Sequence, residues 1–248
     1  MIDLHCHIIP YIDDGAKNIT TAYAMAKYAW KSGVDTIVAT PHCNLRDARS
    51  NYLDRDFVVL LATFRAFLKQ RGLPIKILPG AEVFAHNDNI RALIDQEQLA
   101  TINHSRYLLV EFPFHQKAPL ISETLRAIAR RGLVPVIAHP ERYDAVQEKP
   151  DYVAHWFESG YVIQLNKGSL LGRLGRGAYE CARTLLSEGY AHVIASDAHD
   201  LKYRPPGFYR LIRERQINPN YLKLLLEHNP LRIISDQPLI NPKNDIFD

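Results

Sequence analysis

Short stretches typical of β-strands alternate with longer stretches typical of helices along most of this chain. The stretches that predict strands are Ile2–His7, Val34–Thr40, Ile75–Glu82, Tyr107–Phe112, Leu133–His139, Tyr161–Leu165 and Ala191–Asp197. The stretches that predict helices are Thr20–Lys31, Asp54–Gln70, Asn89–Glu97, Leu120–Arg131, Asp151–Glu158 and Gly177–Glu188. Such alternation predicts parallel strands joined by helical crossovers. These strands could close into a TIM-like barrel or form an open sheet, and the alternation alone does not choose between the two.

The chain length and the positions of glycine and proline predict one domain. A chain of 248 residues is normal for a single α/β barrel. Several predicted helices end at a glycine, the residue that most readily adopts the left-handed conformation after a helix. These glycines are Gly33, Gly72, Gly132 and Gly189. We therefore expect a single catalytic domain over residues 1–248, with an extended tail from about 230, where prolines recur at positions 230, 238 and 242.

Charge, hydropathy and cysteine content exclude several classes of protein. The formal net charge is only +3, which gives no support for binding to nucleic acid or to a membrane surface. No apolar segment approaches the length that spans a membrane. The three cysteines, Cys6, Cys43 and Cys181, are too few and too odd in number for a disulfide framework. We expect a cytoplasmic protein, and the sequence leaves its oligomeric state open.

Histidines and acidic residues collect where the predicted strands end. Nine residues share this placement: His5, His7, Asp14, His42, Glu82, Glu111, His139, Asp197 and His199. The carboxyl ends of parallel strands form the active-site face of barrels and open sheets. His5 and His7 lie two residues apart on one strand, so both side chains point to the same face. This clustering predicts a metal site.

Five imidazoles and four carboxylates form a mixed nitrogen and oxygen ligand set. Such a set suits Mn, Zn or Fe and disfavours Ca. It also exceeds the needs of one ion, so two or three ions are expected, with Glu82 as a plausible bridge. Close metal ions favour hydrolysis, because they generate hydroxide and hold the oxygens of an in-line displacement. Arg142 and Arg204 follow two of these strands and could bind phosphate with their guanidinium forks.

A rival mechanism is present in the same region. Residues 43–50 read Cys-Asn-Leu-Arg-Asp-Ala-Arg-Ser, the Cys-x5-Arg-Ser spacing of cysteine-based tyrosine phosphatases. That mechanism needs an activated thiolate in a phosphate-binding loop. This loop contains no glycine for close backbone approach to phosphate, and Asp47 would repel the anion. We therefore favour metal-dependent hydrolysis and treat Cys43 as a neighbour of a candidate ligand.

Several motifs together resemble those of the bacterial protein-tyrosine phosphatases built on the polymerase-and-histidinol-phosphatase (PHP) fold. The chain opens with Asp-Leu-His-Cys-His (3–7) and Asp-Asp-Gly (13–15), as these enzymes do. The later motifs are Thr-Pro-His (40–42), Pro-Gly-Ala-Glu (79–82), His-Pro-Glu-Arg (139–142), Leu-Asn-Lys-Gly-Ser-Leu-Leu-Gly (165–172) and Ser-Asp-Ala-His (196–199). The likeness extends in the same order from Ile2 to about Pro206. Departures at Cys43, at residues 44–51 and at Phe84 lie near the expected substrate entrance.

The resemblance implies a distorted barrel of about seven strands with surrounding helices, and a site for three metal ions. It implies His5, His7, Glu82 and Asp197 for one ion. It implies Glu82, Glu111 and His139 for the second ion, and Asp14, His42 and His199 for the third. Asp197, His199, Arg142 and Arg204 would take part in catalysis, with both arginines on the phosphate. The usual ion is manganese, with Fe or Zn possible.

The implied substrate is phosphotyrosine in the tail of a bacterial tyrosine kinase that controls capsule or exopolysaccharide synthesis. Hydrolysis would proceed by attack of metal-bound hydroxide. Three alternatives share the fold: a histidinol-phosphate phosphatase, an exonuclease and a catalytically inactive metal-binding regulatory module. The low net charge disfavours the exonuclease. All nine expected ligands are retained, which disfavours the inactive module.

Overall fold

The computed structural model describes residues 1–45, 51–52, 54–85, 90–214 and 217–245. The strands are β1 (Ile2–Cys6), β2 (Thr36–Ala39), β3 (His42–Cys43), β4 (Lys76–Pro79), β5 (Glu82–Phe84), β6 (Tyr107–Glu111), β7 (Val134–Ala138), β8 (Val162–Asn166) and β9 (Val193–Ala195). The helices are α1 (Ile19–Lys31), α2 (Arg55–Gln70), α3 (Ile90–Asp95), α4 (Ala118–Ala129), α5 (Asp144–Glu148), α6 (Asp151–Glu158), α7 (Lys167–Leu170), α8 (Arg176–Ser187), α9 (Tyr209–Glu214), α10 (Pro219–Lys223), α11 (Asn229–Ile234) and α12 (Pro242–Asp245). Short 3-10 turns lie at Ile102–His104 and Pro140–Arg142, and a π-helical turn lies at Leu224–His228.

The strands form two neighbouring sheets with the orders β1-β2-β4 and β3-β5-β6-β7-β8-β9. Every pairing is parallel, as strand and helix alternation requires. The segment after β9 returns to β1 through a parallel bridge between Cys6 and Ala198, and the amide of Asp197 donates to the carbonyl of His5 at 2.8 Å. The last strand of the second sheet, β9, therefore leads back to the first strand of the first sheet, β1. This arrangement agrees with a distorted TIM-like barrel of about seven strands.

One of the predicted strands is wrong for a steric reason. The sequence predicts one strand from Ile75 to Glu82, but the chain leaves the first sheet after β4 and joins the second sheet as β5. Gly80 lies at this break, where an added Cβ would lie 2.7 Å from Cγ1 of Val38. The break between β2 and β3 falls at Thr40 and Pro41. Both breaks move a candidate ligand, His42 or Glu82, onto the second sheet.

The predicted helices agree with the observed ones to within about two residues at the ends that the structure describes; Asn89, the predicted start of the third, lies outside the described residues. Side-chain caps explain two of the starts, because Asn18 accepts from the amide of Thr21 at 2.8 Å and Asp54 accepts from that of Phe57 at 3.0 Å. The four glycines after helices all have positive φ, between 66° and 86°. Capping residues and glycines in the sequence were therefore sufficient to place the ends of these predicted helices.

The C-terminal region differs from the predicted extended tail. Residues 229–234 form α11, and a second short helix, α12, follows at Pro242–Asp245. Pro230 lies at the start of α11, directly after the π-helical turn at Leu224–His228. The C-terminal region is held to the barrel by Asn229, which is fully buried and bonds the carbonyl of His192 and both backbone groups of Ile240. Arg106 also pairs with Asp236 at 2.9 Å.

Buried apolar side chains form two clusters. The larger one fills the space between the strands and the helices, with Phe64, Tyr143 and Trp156 among its largest members. The smaller one is made mostly of strand residues such as Leu109 and Val136. Among the described residues, none of the helices combines the length and the apolar character needed to cross a membrane.

Candidate metal centre

The nine residues predicted as metal ligands lie together at the carboxyl ends of the strands. Each belongs to at least one of four overlapping groups whose possible ligand atoms lie within 4.8 Å of one another. The groups are His7, Asp14, His42 and His199; His5, His139 and Asp197; His5, His7 and Glu82; and His42, Glu82 and Glu111. Most are buried, whereas the side chain of Asp14 is 65% exposed and marks the open side of the centre.

Glu82 occupies the middle of the cluster. Its Oε1 lies 2.9 Å from Nε2 of His139 and 3.2 Å from Nε2 of His5. Its Oε2 lies 3.0 Å from Nδ1 of His42 and 3.3 Å from Nε2 of His7. Each carboxylate oxygen thus faces two imidazoles, which is the geometry expected of a carboxylate that bridges two ions.

Asp197 joins the cluster to the two arginines. Its Oδ1 faces His5 at 3.4 Å, His7 at 3.5 Å and His199 at 3.6 Å. Its Oδ2 contacts the guanidinium of Arg204 and lies 3.5 Å from that of Arg142. One carboxylate therefore presents one oxygen to the candidate ligands and the other to the candidate phosphate-binding groups.

The remaining contacts form the outer side of the cluster. Oδ1 of Asp14 lies 3.4 Å from Nε2 of His199 and 3.5 Å from Nε2 of His42. Glu111 lies 3.6 Å from His139 and 3.8 Å from His42. Asp14, His42 and His199, which the family resemblance implies as one ligand set, therefore lie together, and His7 joins them.

The residues present fit a metal cluster. Nδ1 of His42, Oδ1 of Asp197 and Nε2 of His199 are buried without a hydrogen-bond partner. Buried polar atoms without partners are costly, and coordination to a cation would satisfy them. A mixed set of imidazoles and carboxylates suits Mn, Fe or Zn. The number of ligand atoms exceeds what one ion takes, so the geometry accommodates more than one.

Electrostatics within the cluster also favours cation binding. Burial lowers the pKa of His139 to about 4, so its imidazole is neutral and able to coordinate. Burial raises the pKa of Glu111 to about 8, and the neighbouring charge of Glu82 acts in the same direction. Burial also opposes the ionisation of Glu82, but the facing imidazoles outweigh it and hold its pKa well below the usual range. A cation beside Glu111 would favour its charged form.

Two residues outside the ligand set orient the rings of His5 and His7 through their Nδ1 atoms. Oε1 of Gln164 lies 2.9 Å from Nδ1 of His5, and Oδ2 of Asp13 lies 2.7 Å from Nδ1 of His7. Such partners fix the ring orientation and direct the other nitrogen, Nε2, into the centre. Sequence reasoning did not assign these roles. For Gln164 a signal was present, because polar residues alternate on β8 at positions 164 and 166.

Two candidate ligands have a left-handed backbone, which is uncommon outside glycine. His139 has φ 32° and Asp197 has φ 49°. Each follows the end of its strand, and the turn redirects the side chain toward the centre. Such conformations cost about 1–3 kcal/mol each and cluster at functional sites.

The arginine of the His-Pro-Glu-Arg motif is supported by an aromatic ring. The guanidinium of Arg142 lies 4.4 Å from the ring centroid of Phe114, a cation–π distance. Phe114 also lies edge-on to the ring of His139, with centroids 6.2 Å apart. The sequence analysis did not assign a role to Phe114, whose partners lie more than twenty residues away along the chain.

The thiolate mechanism is not supported by the surroundings of Cys43. Its side chain is fully buried, and this burial raises the pKa of the thiol to about 12. An activated cysteine needs the opposite shift. Residues 46–50 of the Cys-x5-Arg-Ser stretch lie outside the described residues. Cys6 and Cys181 are also buried and free.

Comparison with known proteins assigns the chain to a family. The family model for capsular polysaccharide synthesis, CpsB/CapC, matches residues 1–235. The chain belongs to the CpsB/CapC family. The tyrosine-protein phosphatase YwqE of Bacillus subtilis is 34% identical over 206 residues, which cover 82% of this chain and 79% of YwqE. The tyrosine-protein phosphatase CpsB of Streptococcus pneumoniae is 32% identical over 244 residues, which cover 96% of this chain and 99% of CpsB.

A solved structure within the CpsB/CapC family confirms the fold. Crystal structures of YwqE and CpsB, described as metal-dependent tyrosine phosphatases, include a chain that matches with a TM-score of 0.87 and 30% identity. The match covers 97% of this chain and 96% of that chain. The predicted family and the predicted barrel fold are both confirmed. The individual ligand assignments remain predictions.

Proposed function

We propose that this protein is a metal-dependent protein-tyrosine phosphatase. One observation carries the proposal: five histidines and two further carboxylates, Asp14 and Glu111, surround Glu82 and Asp197, and two arginines meet the far oxygen of Asp197. This arrangement combines a site for several cations with a site for a tetrahedral anion. Membership of the CpsB/CapC family and likeness to YwqE and CpsB support the same activity.

In the proposed reaction a phosphotyrosine monoester is hydrolysed to tyrosine and phosphate. Two or three Mn²⁺ ions, when bound by the nine ligands, would supply hydroxide near neutral pH and polarise the phosphoryl oxygens. Arg142 and Arg204 hold two of those oxygens and neutralise their charge during transfer. Phenol has a pKa of about 10, so the leaving oxygen needs less help from a general acid than an alkyl alcohol would.

The protein partner that we propose is the phosphotyrosine-bearing tail of a bacterial tyrosine kinase that controls capsule or exopolysaccharide synthesis in the cytoplasm. A tail of this kind is flexible and could bring successive phosphotyrosines to an open rim. The exposed carboxylate of Asp14 marks such a rim beside the cluster. The family description, capsular polysaccharide synthesis, supports this choice of partner.

The proposal is tested with a phosphotyrosine peptide and purified protein, first with Mn²⁺ and then with EDTA. EDTA should stop turnover, and added Mn²⁺ should restore it. The Cys43→Ser variant should keep the wild-type rate. Turnover that survives EDTA and disappears in Cys43→Ser would contradict the proposal and favour the thiolate mechanism.

Histidinol phosphate serves as the competing substrate in the same assay. A kcat/KM for this alkyl phosphate above that for the phosphotyrosine peptide would assign the protein to the small-molecule phosphatases instead. No turnover of either substrate by metal-loaded protein would leave the inactive regulatory module as the better description.

A further inference from the structure

The motif at residues 165–172 contains none of the nine candidate ligands, yet its first residues contact functional groups. Asn166 ends β8, and its side-chain amide donates to Oδ2 of Asp197 at 2.6 Å. Lys167 begins α7 and is only 5% exposed, which makes it the one buried lysine among the described residues. Burying an ammonium group is costly unless hydrogen bonds or opposite charges compensate, so packing alone does not explain a lysine here.

The ammonium group of Lys167 binds the chain just after Arg204. It donates to the carbonyl oxygen of Pro205 and, at 2.8 Å, to that of Gly207. These carbonyls lie one and three residues after the arginine. Burial lowers the pKa of Lys167 to about 8, while the nearby charge of Asp3 acts in the opposite direction. The ammonium group therefore remains largely protonated at neutral pH and can donate both of these hydrogen bonds.

The chain before Arg204 is held by a different residue. Oδ1 of Asp200 accepts from the backbone amides of residues 202–204, and the amide of His199 donates to the carbonyl of Arg204 at 3.0 Å. Local bonds thus define the turn up to Arg204. Beyond Arg204, the two bonds from Lys167 anchor the turn to α7.

We propose that Lys167 is a positioning residue for phosphate binding: it anchors residues 205–207 so that the guanidinium of Arg204 stays against Asp197. Asn166, its neighbour in the chain, donates to the same carboxylate oxygen, Oδ2 of Asp197, that Arg204 contacts. Two adjacent residues thereby align a candidate ligand with a candidate phosphate-binding arginine. The inference rests on the proposed function only through the phosphate-binding role of Arg204.

The anchoring step is tested by amide hydrogen exchange on the full chain loaded with Mn²⁺. Lys167→Met keeps the side-chain length and removes the donors, and Lys223→Met at an exposed position is the matched control. Peptides that cover residues 200–208 should exchange at least tenfold faster in Lys167→Met only. Unchanged exchange in these peptides would overturn the proposal. Faster exchange along the whole chain would also overturn it, because that result indicates a general structural role.

The consequence for binding is tested with inorganic phosphate by calorimetry, in a double-mutant cycle with Arg204→Ala. Lys167→Met should weaken phosphate binding at least tenfold in the wild-type background and less than twofold when Arg204 is absent. Equal losses in both backgrounds, or phosphate binding that does not depend on Arg204, would overturn the inference. One outcome separates the two proposals: the two substitutions are coupled in phosphate affinity while the protein fails to hydrolyse the phosphotyrosine peptide. That result would refute the proposed function but support the role of Lys167 in positioning Arg204.

Discussion

Replacing His139 by alanine should remove metal and activity while leaving the fold intact. His139 is 1% exposed, and its Nε2 lies 2.9 Å from Glu82 and 3.6 Å from Glu111. Loss of a residue that merely orients a ligand lowers metal affinity roughly 10–100-fold, so loss of a ligand should cost at least roughly 100-fold. That factor corresponds to about 2.7 kcal/mol or more in binding free energy.

The cost of the same substitution to the folded protein is small compared with the total stability of a domain. At neutral pH the imidazole of His139 is uncharged, because burial lowers its pKa to about 4. The variant loses one hydrogen bond to a charged carboxylate, which is worth about 1.5–3 kcal/mol. A domain with a typical stability of about 5–15 kcal/mol remains folded after such a loss.

The assay compares bound metal, turnover with increasing Mn²⁺, and thermal unfolding. His192→Ala is the matched control, because His192 is also a buried and neutral histidine but lies outside the four ligand groups. The control should lose stability while retaining metal. If His139→Ala binds metal and turns over within about threefold of this control, the ligand assignment of His139 is wrong.

Three further predictions concern two residues beside the centre and one outside it, His192. Gln164→Leu should weaken Mn²⁺ binding roughly 10–100-fold by releasing the ring of His5, and isothermal titration with unchanged affinity would exclude an orienting role. Arg142→Lys keeps the charge but loses the fork and the contact with Phe114, so kcat/KM should fall roughly tenfold or more; an unchanged value would show that Arg142 acts only as a charge. Burial lowers the folded-state pKa of His192 to about 3, below the unfolded value near 6.5, so the unfolded chain binds this proton first and stability is lost as the pH falls below about 6.5. His192→Asn, which keeps an acceptor for the amide of Ile163, should reduce the loss of unfolding free energy between pH 7 and pH 5 by about 2 kcal/mol, and denaturant melts with equal pH slopes would contradict this reasoning.

The helices and the general strand order could be predicted because their signals are local. Asn18 and Asp54 each cap a helix by accepting from an amide three residues later in the chain. Gly33, with its positive φ, directly follows the end of a helix. The break at Gly80 was missed although the Pro-Gly pair at 79–80 is a local turn signal; its steric cause lies on another strand, at Val38. The helix at residues 229–234 was missed because Pro230, together with the later prolines at 238 and 242, suggested an extended chain.

The candidate centre could be located from the sequence because its residues follow strand ends, which meet at one edge in a parallel fold. The supporting residues could not be located in the same way. Gln164 and His5 are 159 positions apart, and Lys167 and Pro205 are 38 apart, so no local pattern links the partners. Recognising them requires the contacts of the folded chain.

The crossing of the chain between sheets at Gly80 has a mechanical consequence. His5 belongs to the sheet of β1, β2 and β4, whereas His42, Glu82 and Glu111 belong to the other sheet. A cation shared by His5 and Glu82 would therefore be a cross-link over the seam between the sheets. Removing the cation with a chelator would then do more than stop the reaction. It would also remove a cross-link between the three-stranded and the six-stranded sheet of the barrel wall.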